Sequence, residues 1–298
     1  MVNLILGNCP ASWGVRWAGA GPRPPWRRFL DELAGAGYGW LELGPYGYLP
    51  TDPSRLNDEL ARRGLRVCAG TVHGCGGLHR AGEFGDMLAR TRRAAELAAG
   101  TGARDLVFVP VPGYRDEFTG AWAESDKLDD DGWKVLVRTA NELGKHALGE
   151  YGLTLSVQPH ADTHLETVAQ IGRFLAETDP AYVSLCLDTG HVAYAGGDPA
   201  ALIAEHPDRV GLVHVKQIDP RLAIRAQRES LAYGQAVALG ACCEPPHGLP
   251  ALPPVLDAMR ERGQDAFVVV AHEPPPGTED AAAVAARTRD YLLACQNQ

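Results

Sequence analysis

Short apolar runs rich in valine, leucine and isoleucine recur along this chain, and longer amphipathic stretches separate them. Strands that alternate with helices favour a parallel sheet, and eight such units predict a single-domain closed (β/α)8 TIM barrel over residues 1–298. The predicted strands are Asn3–Cys9, Tyr38–Leu43, Leu65–Val72, Arg104–Val111, Gly152–Pro159, Tyr182–Asp188, Arg209–Val215 and Ala266–His272. The predicted helices are Pro25–Gly35, Asp52–Arg63, Asp86–Ala99, Asp131–Glu150, Leu165–Glu177, Ala251–Arg262 and Thr278–Cys295. An open doubly wound sheet would need a glycine-rich phosphate turn after the first strand, and Asn8–Gly14 is not one.

The charge and composition of the chain limit the kinds of molecule that it can bind. The formal net charge of −9 offers no basic surface for nucleic acid or an anionic membrane. No run approaches the ~20 apolar residues of a membrane span, and the first residues lack a basic segment. Seven cysteines without a CxxC pair favour reduced thiols over disulfides. We therefore expect a cytoplasmic protein that binds neither nucleic acid nor a membrane.

Chemically active side chains gather at the ends of the predicted strands. Because a barrel builds its active site at the C-terminal mouth from several strands, we expect these side chains to meet there. They are His73 after strand three, His160 and Glu166 after strand five, Asp188 and His191 after strand six, His214 and Lys216 in strand seven, and His272 and Glu273 after strand eight.

Asp188 and His214 are the best candidates for metal ligands, because neighbouring strands bring their carboxylate and imidazole close together. The period of two places Lys216 on the same side as His214. Glu166 has a second interpretation, in which Thr163 caps a helix and Glu166 completes a capping box. Glu42, in strand two, is either a pocket residue or part of a buried ion pair. His79, His146, His206 and His247 are expected in loops or on helix surfaces, in contact with water.

Two connections are long enough to form pocket walls or lids. One is Pro112–Asp130, with Tyr114, Phe118 and Trp122, and the other is Gln217–Pro250, with a short helix predicted around Arg228–Val237. Both follow strands, so both are expected at the mouth of the barrel.

The motifs at strands five to seven resemble those of the xylose-isomerase-like TIM barrels, the sugar phosphate isomerase/epimerase superfamily. They are the sequences PHADTHLET from Pro159, LDTGH from Leu187 and HVKQ from His214. Together with ELGPYGYLP from Glu42 and CEPP from Cys243, they are similar to the inosose dehydratase branch. The resemblance extends over most of the chain and implies homodimers or homotetramers.

The resemblance implies one divalent metal ion, Mn²⁺, Co²⁺ or Zn²⁺, held by two glutamates, an aspartate and a histidine. Asp188, His214 and Glu166 match three of these ligands. The fourth position departs from the family pattern, because the ligand glutamate of strand eight falls on Ala271 and Glu273 lies one step farther along. Gln158 stands near the usual glutamate inside strand five. Either Glu273 reaches back to the metal or water completes its coordination.

These features predict a metal-dependent isomerase, epimerase or dehydratase that acts on a sugar or keto-polyol through a metal-stabilised enediolate. Glu166 or Lys216 is the predicted base, and His160 or His191 the predicted acid. Trp13, Glu42, His73, His191 and Lys216 are predicted to bind the substrate. The alternatives are a lyase or deglycosylase acting on a specialised glycoside, a metal-dependent phosphodiesterase, and a barrel without catalytic activity.

Overall fold

The computed structural model describes residues 2–16, 23–275, 277–278 and 280–296. Eight parallel strands close into a barrel in the order β1-β10-β7-β6-β5-β4-β3-β2, which confirms the predicted fold. The barrel strands are β1 (Leu4–Asn8), β2 (Trp40–Glu42), β3 (Arg66–Val72), β4 (Asp105–Phe108), β5 (Thr154–Val157), β6 (Val183–Asp188), β7 (Val210–Val215) and β10 (Ala266–Val270). The short strands β8 (Gln217–Ile218) and β9 (Cys242–Cys243) pair antiparallel outside the barrel.

Helices connect the strands on the outside of the barrel. They are α1 (Trp26–Gly35), α2 (Pro53–Ala61), α3 (Phe84–Gly100), α4 (Asp130–Tyr151), α5 (Val168–Glu177), α6 (Thr189–Tyr194), α7 (Pro199–Glu205), α8 (Pro220–Arg228), α9 (Tyr233–Ala238), α10 (Leu252–Glu261) and α11 (Ala281–Gln296). Asp52 and Asp198 accept hydrogen bonds at the N-termini of α2 and α7, each with proline in the first turn.

Alternation along β7 shows how the barrel positions its polar groups. Val213 and Val215 belong to the large core between the strands and the outer helices. Leu212 belongs to a smaller cluster in the interior of the barrel. His214 and Lys216 share the face of Leu212 and line a cavity beyond it. A period of two therefore delivers apolar side chains to one layer and reactive ones to the mouth.

Two local predictions were wrong. The helix expected around Arg228–Val237 is two helices, α8 and α9, separated by residues 229–232. Thr163 does not begin a helix: α5 is capped by Thr167, whose hydroxyl and the Gln170 side chain form the capping box. Thr163 instead donates a hydrogen bond to the His160 carbonyl, 2.6 Å away.

No helix among the described residues is long and apolar enough to cross a membrane. All seven cysteines are free, and six of them are buried.

Two glycines of α4 provide a matched test of how this helix packs on the barrel. A Cβ atom on Gly144 would lie 2.5 Å from the carbonyl oxygen of Tyr182, whereas one on Gly149 would meet nothing within 4 Å. We expect Gly144→Ala to lower the free energy of unfolding by about 1–3 kcal/mol through overpacking. Gly149→Ala should raise it by up to ~1 kcal/mol through helix propensity. Urea unfolding of both variants checks this, and equal effects would contradict the described contact.

Candidate active site

A polar cavity of about 60 Å³ opens at the C-terminal ends of the barrel strands. Several elements contribute to it, including the loops after β3, β4 and β5. The residues singled out in the sequence that line it are Glu42, His73, His160, His191, His214, Lys216 and Glu273. Burial lowers the pKa of His73 to about 4. Six different barrel strands or their following loops thus deliver reactive groups to one place.

Asp188 and His214 stand in register on the neighbouring strands β6 and β7. Oδ2 of Asp188 lies 3.9 Å from Nδ1 of His214, and both side chains are buried. The Asp188 carboxylate already accepts three hydrogen bonds. Its Oδ1 accepts from the backbone N–H groups of Gly190 and His191, and its Oδ2 accepts from Nε2 of Gln158 at 2.9 Å.

Glu42 forms a buried ion pair with His214, one of the two interpretations left open by the sequence. Oε2 of Glu42 lies 2.6 Å from Nε2 of His214, and its Oε1 accepts from the Thr71 hydroxyl at 2.6 Å. Burial by itself would lower the pKa of His214, but the Glu42 carboxylate raises it above its ordinary value. The pair therefore fixes the imidazole ring and directs its Nδ1 toward Asp188.

Lys216 is the centre of a buried network of opposite charges. Its Nζ donates to Oε2 of Glu273 at 2.9 Å and lies 3.3 Å from Oδ2 of Asp188. The Tyr233 hydroxyl donates to the same Glu273 oxygen at 2.7 Å, and Arg16 lies 3.3 Å from the other oxygen. Burial would lower the pKa of Lys216, but Asp188 and Glu273 raise it above the ordinary value. Lys216 is therefore a stable ammonium group at neutral pH.

Two neutral imidazoles form another part of the wall. The rings of His160 and His191 contact each other at a tilt of 38°, with centroids 3.9 Å apart. Nδ1 of His160 lies 2.8 Å from the Ala161 carbonyl oxygen, and Nδ1 of His191 accepts from the Ala161 N–H at 3.2 Å. Burial lowers the pKa of His160 to about 3, and burial together with the charge of neighbouring groups lowers that of His191 well below its usual value. Both neutral rings therefore carry one N–H donor and one acceptor nitrogen, and neither is an imidazolium acid at neutral pH.

Three of the predicted site residues do not line this cavity. One is Asp188, which contacts the lining residue Lys216, and the other two are Trp13 and Glu166. The Trp13 indole packs edge-on against Phe29 and donates to Glu32 at 2.7 Å. Glu166 accepts from the Tyr114 hydroxyl at 2.9 Å, and burial raises its pKa to about 7.

The sequence reasoning missed three residues of the site: Arg16, Glu117 and Tyr233. Glu117 lines the cavity from the loop after β4, and its Oε2 lies 2.9 Å from the Arg16 guanidinium. Burial raises the pKa of Glu117 to about 7, despite the opposing effect of Arg16. Glu117 and Tyr233 lie in the two long loops that the sequence predicts to form pocket walls. No motif identifies Arg16.

The donor set at the mouth does not fit a resident divalent cation. Asp188 and His214 direct only two ligand atoms toward each other, while a metal site normally has three or four protein ligands. The amide of Gln158 and the ammonium of Lys216 face the same Asp188 oxygen, and an ammonium group repels a dication. Glu273 is held by Lys216 and Tyr233, and Ala271 offers no ligand. The arrangement does not support the predicted ligand set.

A different group of side chains could hold a divalent metal ion. Among the described residues, His79, Glu124 and His164 are the set of at least three whose ligand atoms all lie within 4.8 Å of one another. The expectation that His79 is in contact with water was wrong, because only 9% of its side chain is exposed.

The fold and the site define a class of protein: a parallel barrel with a polar mouth. The sequence profile described as "Xylose isomerase-like TIM barrel" matches residues 30–292, and the chain belongs to this family. It is 30% identical to the inosose dehydratase of Halalkalibacterium halodurans, over 97% of this chain and 94% of that protein. It is 26% identical to the inosose dehydratase of Lacticaseibacillus casei (strain BL23), over 99% and 97%.

Solved structures show the same fold at lower identity. An L-ribulose 3-epimerase superposes with a TM-score of 0.72 at 16% identity, over 100% of this chain and 95% of that one. The IOLI protein with a bound zinc atom gives a TM-score of 0.72 at 16% identity, over 98% of each chain.

The buried pair of Glu42 and His214 provides a test of the site's architecture. Glu42→Ala leaves the His214 Nε2 without a partner and the Thr71 hydroxyl without an acceptor, so we expect a loss of about 3–5 kcal/mol in the free energy of unfolding. Glu42→Gln keeps an acceptor for His214 and should cost less. Exposed Glu229→Ala, as a control, should stay within about 0.5 kcal/mol of the parent. Urea denaturation measures the free energy of unfolding of all three variants. A loss for Glu42→Ala as small as that for Glu229→Ala would contradict a buried pair.

Proposed function

We propose that this protein is an enzyme that moves a proton next to the carbonyl group of a sugar or keto-polyol, as an isomerase, epimerase or dehydratase of the inosose dehydratase type. The observation that carries the proposal is the convergence on one cavity of a buried ammonium, neutral imidazoles and a carboxyl group whose pKa is near 7. The named relatives, dehydratases and an epimerase, support the same class. No divalent ion at the mouth enters this proposal, because the donor set there does not fit one.

Lys216 supplies the positive charge that the reaction needs. Removal of a proton next to a carbonyl leaves an enediolate, and an ammonium preorganised in a buried site stabilises that oxyanion more strongly than water does. Asp188 and Glu273 keep Lys216 protonated and hold it in place. This role replaces the predicted one of base, which would require Lys216 to lose its proton near neutral pH.

Glu117 is the group that moves the proton. A carboxyl group with a pKa near 7 exists in both protonation states at neutral pH, which suits it to accept a proton and to return it. Arg16 orients it and also contacts Glu273, so the acid–base group and the Lys216 network are connected. Return of the proton from Glu117 to the neighbouring carbon gives an isomer, and its transfer to a β-hydroxyl, which leaves as water, gives dehydration. Addition of a proton from solvent to the other face gives an epimer.

The imidazoles hold the substrate. In neutral His160, Nδ1–H donates to the Ala161 carbonyl, which leaves Nε2 as an acceptor for a substrate hydroxyl. The low pKa of His160 and of His191 disfavours the predicted role of acid for either residue. Together with His73, they place three neutral imidazoles around a ligand rich in hydroxyl groups, and Nε2 of His191 lies 3.2 Å from the Nζ of Lys216.

A second cavity favours a glycoside as an alternative substrate. A mainly apolar space of about 240 Å³ adjoins the polar one and shares His73, Glu117 and His160 with it. Val111, Pro112 and Phe118 contribute apolar surface there. An aromatic or aliphatic substituent on the sugar would fit this space, which supports a lyase or deglycosylase acting on such a glycoside.

Exchange of a carbon-bound proton with solvent tests the proposed chemistry directly. Incubation in D₂O with inosose, ketohexoses and keto-glycosides, followed by proton NMR, should show exchange next to the carbonyl of at least one compound. Lys216→Met should slow this exchange by roughly 10²–10³-fold, because the oxyanion loses its cation. Glu117→Gln should slow it by roughly 10²–10⁴-fold. Surface variants Lys145→Met and Glu229→Gln should match the parent, and absence of exchange with every compound would favour a barrel without catalytic activity.

The pH profile identifies the acid–base group. Since proton abstraction needs the carboxylate form of Glu117, the exchange rate at low substrate concentration should rise with pH through about 7 and then level off. In Glu117→Gln the residual rate should lose this inflection. An unchanged inflection in the variant would assign the ionisation to another group.

A further inference from the structure

We propose that His79, Glu124 and His164 form a binding site for a divalent transition-metal ion of the zinc type, and that the bound ion clamps the wall of the barrel mouth. The three residues belong to the loops that follow the adjacent strands β3, β4 and β5. Two imidazoles and one carboxylate form a ligand set typical of Zn²⁺, with water in the fourth position. The ion would lie in the outer wall and take no part in the proton transfer proposed above.

The distances suit a tetrahedral ion. Nε2 of His79 lies 3.1 Å from the Glu124 carboxylate, and ligand atoms about 2.0–2.2 Å from a tetrahedral zinc ion lie roughly 3.3 Å from one another. The rings of His79 and His164 meet nearly edge to face, with centroids 4.4 Å apart. The three ligand atoms need only a small closing movement from their present separations of at most 4.8 Å.

The surroundings resemble the outer shell of a metal site. Nε2 of His164 donates to the Ser125 carbonyl at 2.8 Å, which leaves Nδ1 of the neutral ring with a free lone pair. Arg80 binds Oε1 of Glu124 at 3.0 Å, and the other carboxylate oxygen faces Nε2 of His79, the proposed neighbouring ligand. His79 is nine-tenths buried and directs its Nε2 toward Glu124, whereas its Nδ1, unlike the Nε2 of His164, has no hydrogen-bond partner in the structure. An ion pair between His79 and Glu124 does not explain the second imidazole beside them.

The location gives the ion a function. The loop after β4 carries Glu124 together with Glu117, the proposed acid–base group, and Tyr114, which contacts His164. A metal ion held by three loops would restrict the movement of this segment and hold Glu117 at the cavity. The site therefore predicts a loss of order in the mouth, rather than a loss of the barrel, when the ion is removed.

Metal titration of the full-length protein tests the proposal. After dialysis against a chelator, addition of Co²⁺ should give the visible absorption of a tetrahedral complex at one equivalent per chain, and Zn²⁺ should displace it. Zn²⁺ should also raise the melting temperature. His79→Gln, Glu124→Gln and His164→Gln should each weaken binding by more than the roughly 10–100-fold that loss of an outer-shell partner costs.

Two controls separate this site from other arrangements. His146 contacts Glu150 at 2.6 Å on the helix surface, and Arg92 binds the same carboxylate, so His146→Gln removes a similar pair that lacks a second imidazole. Asp188→Asn removes the ligand predicted at the mouth. Both variants should retain one equivalent of metal. Failure of the parent protein to bind Co²⁺ and Zn²⁺ would overturn the proposal, and so would loss of binding in Asp188→Asn with retention in His164→Gln. Circular dichroism verifies that each variant is folded. If a variant is unfolded, the metal titration of the parent protein alone tests the proposal.

Discussion

The buried ammonium of Lys216 is the constraint on which the site depends. A charge removed from water is tolerated only when opposite charges and hydrogen bonds replace its hydration, and here Asp188, Glu273 and Tyr233 do so. Each of these partners is itself held by a further contact, so the network has little freedom. A positive charge fixed in this way is ready to stabilise an oxyanion without reorganisation.

The same network accounts for the departure from the expected ligand set. Family resemblance implies glutamates near Gln158 and Ala271, and the loss of both negative charges leaves Asp188 as a partner for the lysine rather than for a dication. The amide of Gln158 donates to the oxygen that a metal would bind. With an amide at position 158 and alanine at position 271, the Asp188 carboxylate faces the Lys216 ammonium.

The proposed catalytic groups of the mouth lie on two kinds of element, the barrel strands and a long loop. The inner groups belong to or directly follow barrel strands, whose hydrogen bonds fix their positions, whereas Glu117 lies on a long loop. A loop of this length needs anchors to hold a catalytic group accurately. Arg16 provides one anchor, and the cluster of His79, Glu124 and His164 is in a position to provide another.

Hydrophobic periodicity in the sequence determined the eight strands and the shared face of His214 and Lys216, because alternation is a local consequence of strand geometry. The proximity of Asp188 to His214 was expected from the barrel that these strands predict. The periodicity could not determine the direction of Glu166 or the burial of His79, since both lie in loops whose paths depend on distant contacts. The three residues that the sequence did not reveal, Arg16, Glu117 and Tyr233, lie in or just after three different loops. They are far apart in the sequence, and no regular spacing relates their positions. Only the closed barrel brings them together, because closure places the ends of strands far apart in sequence around one cavity.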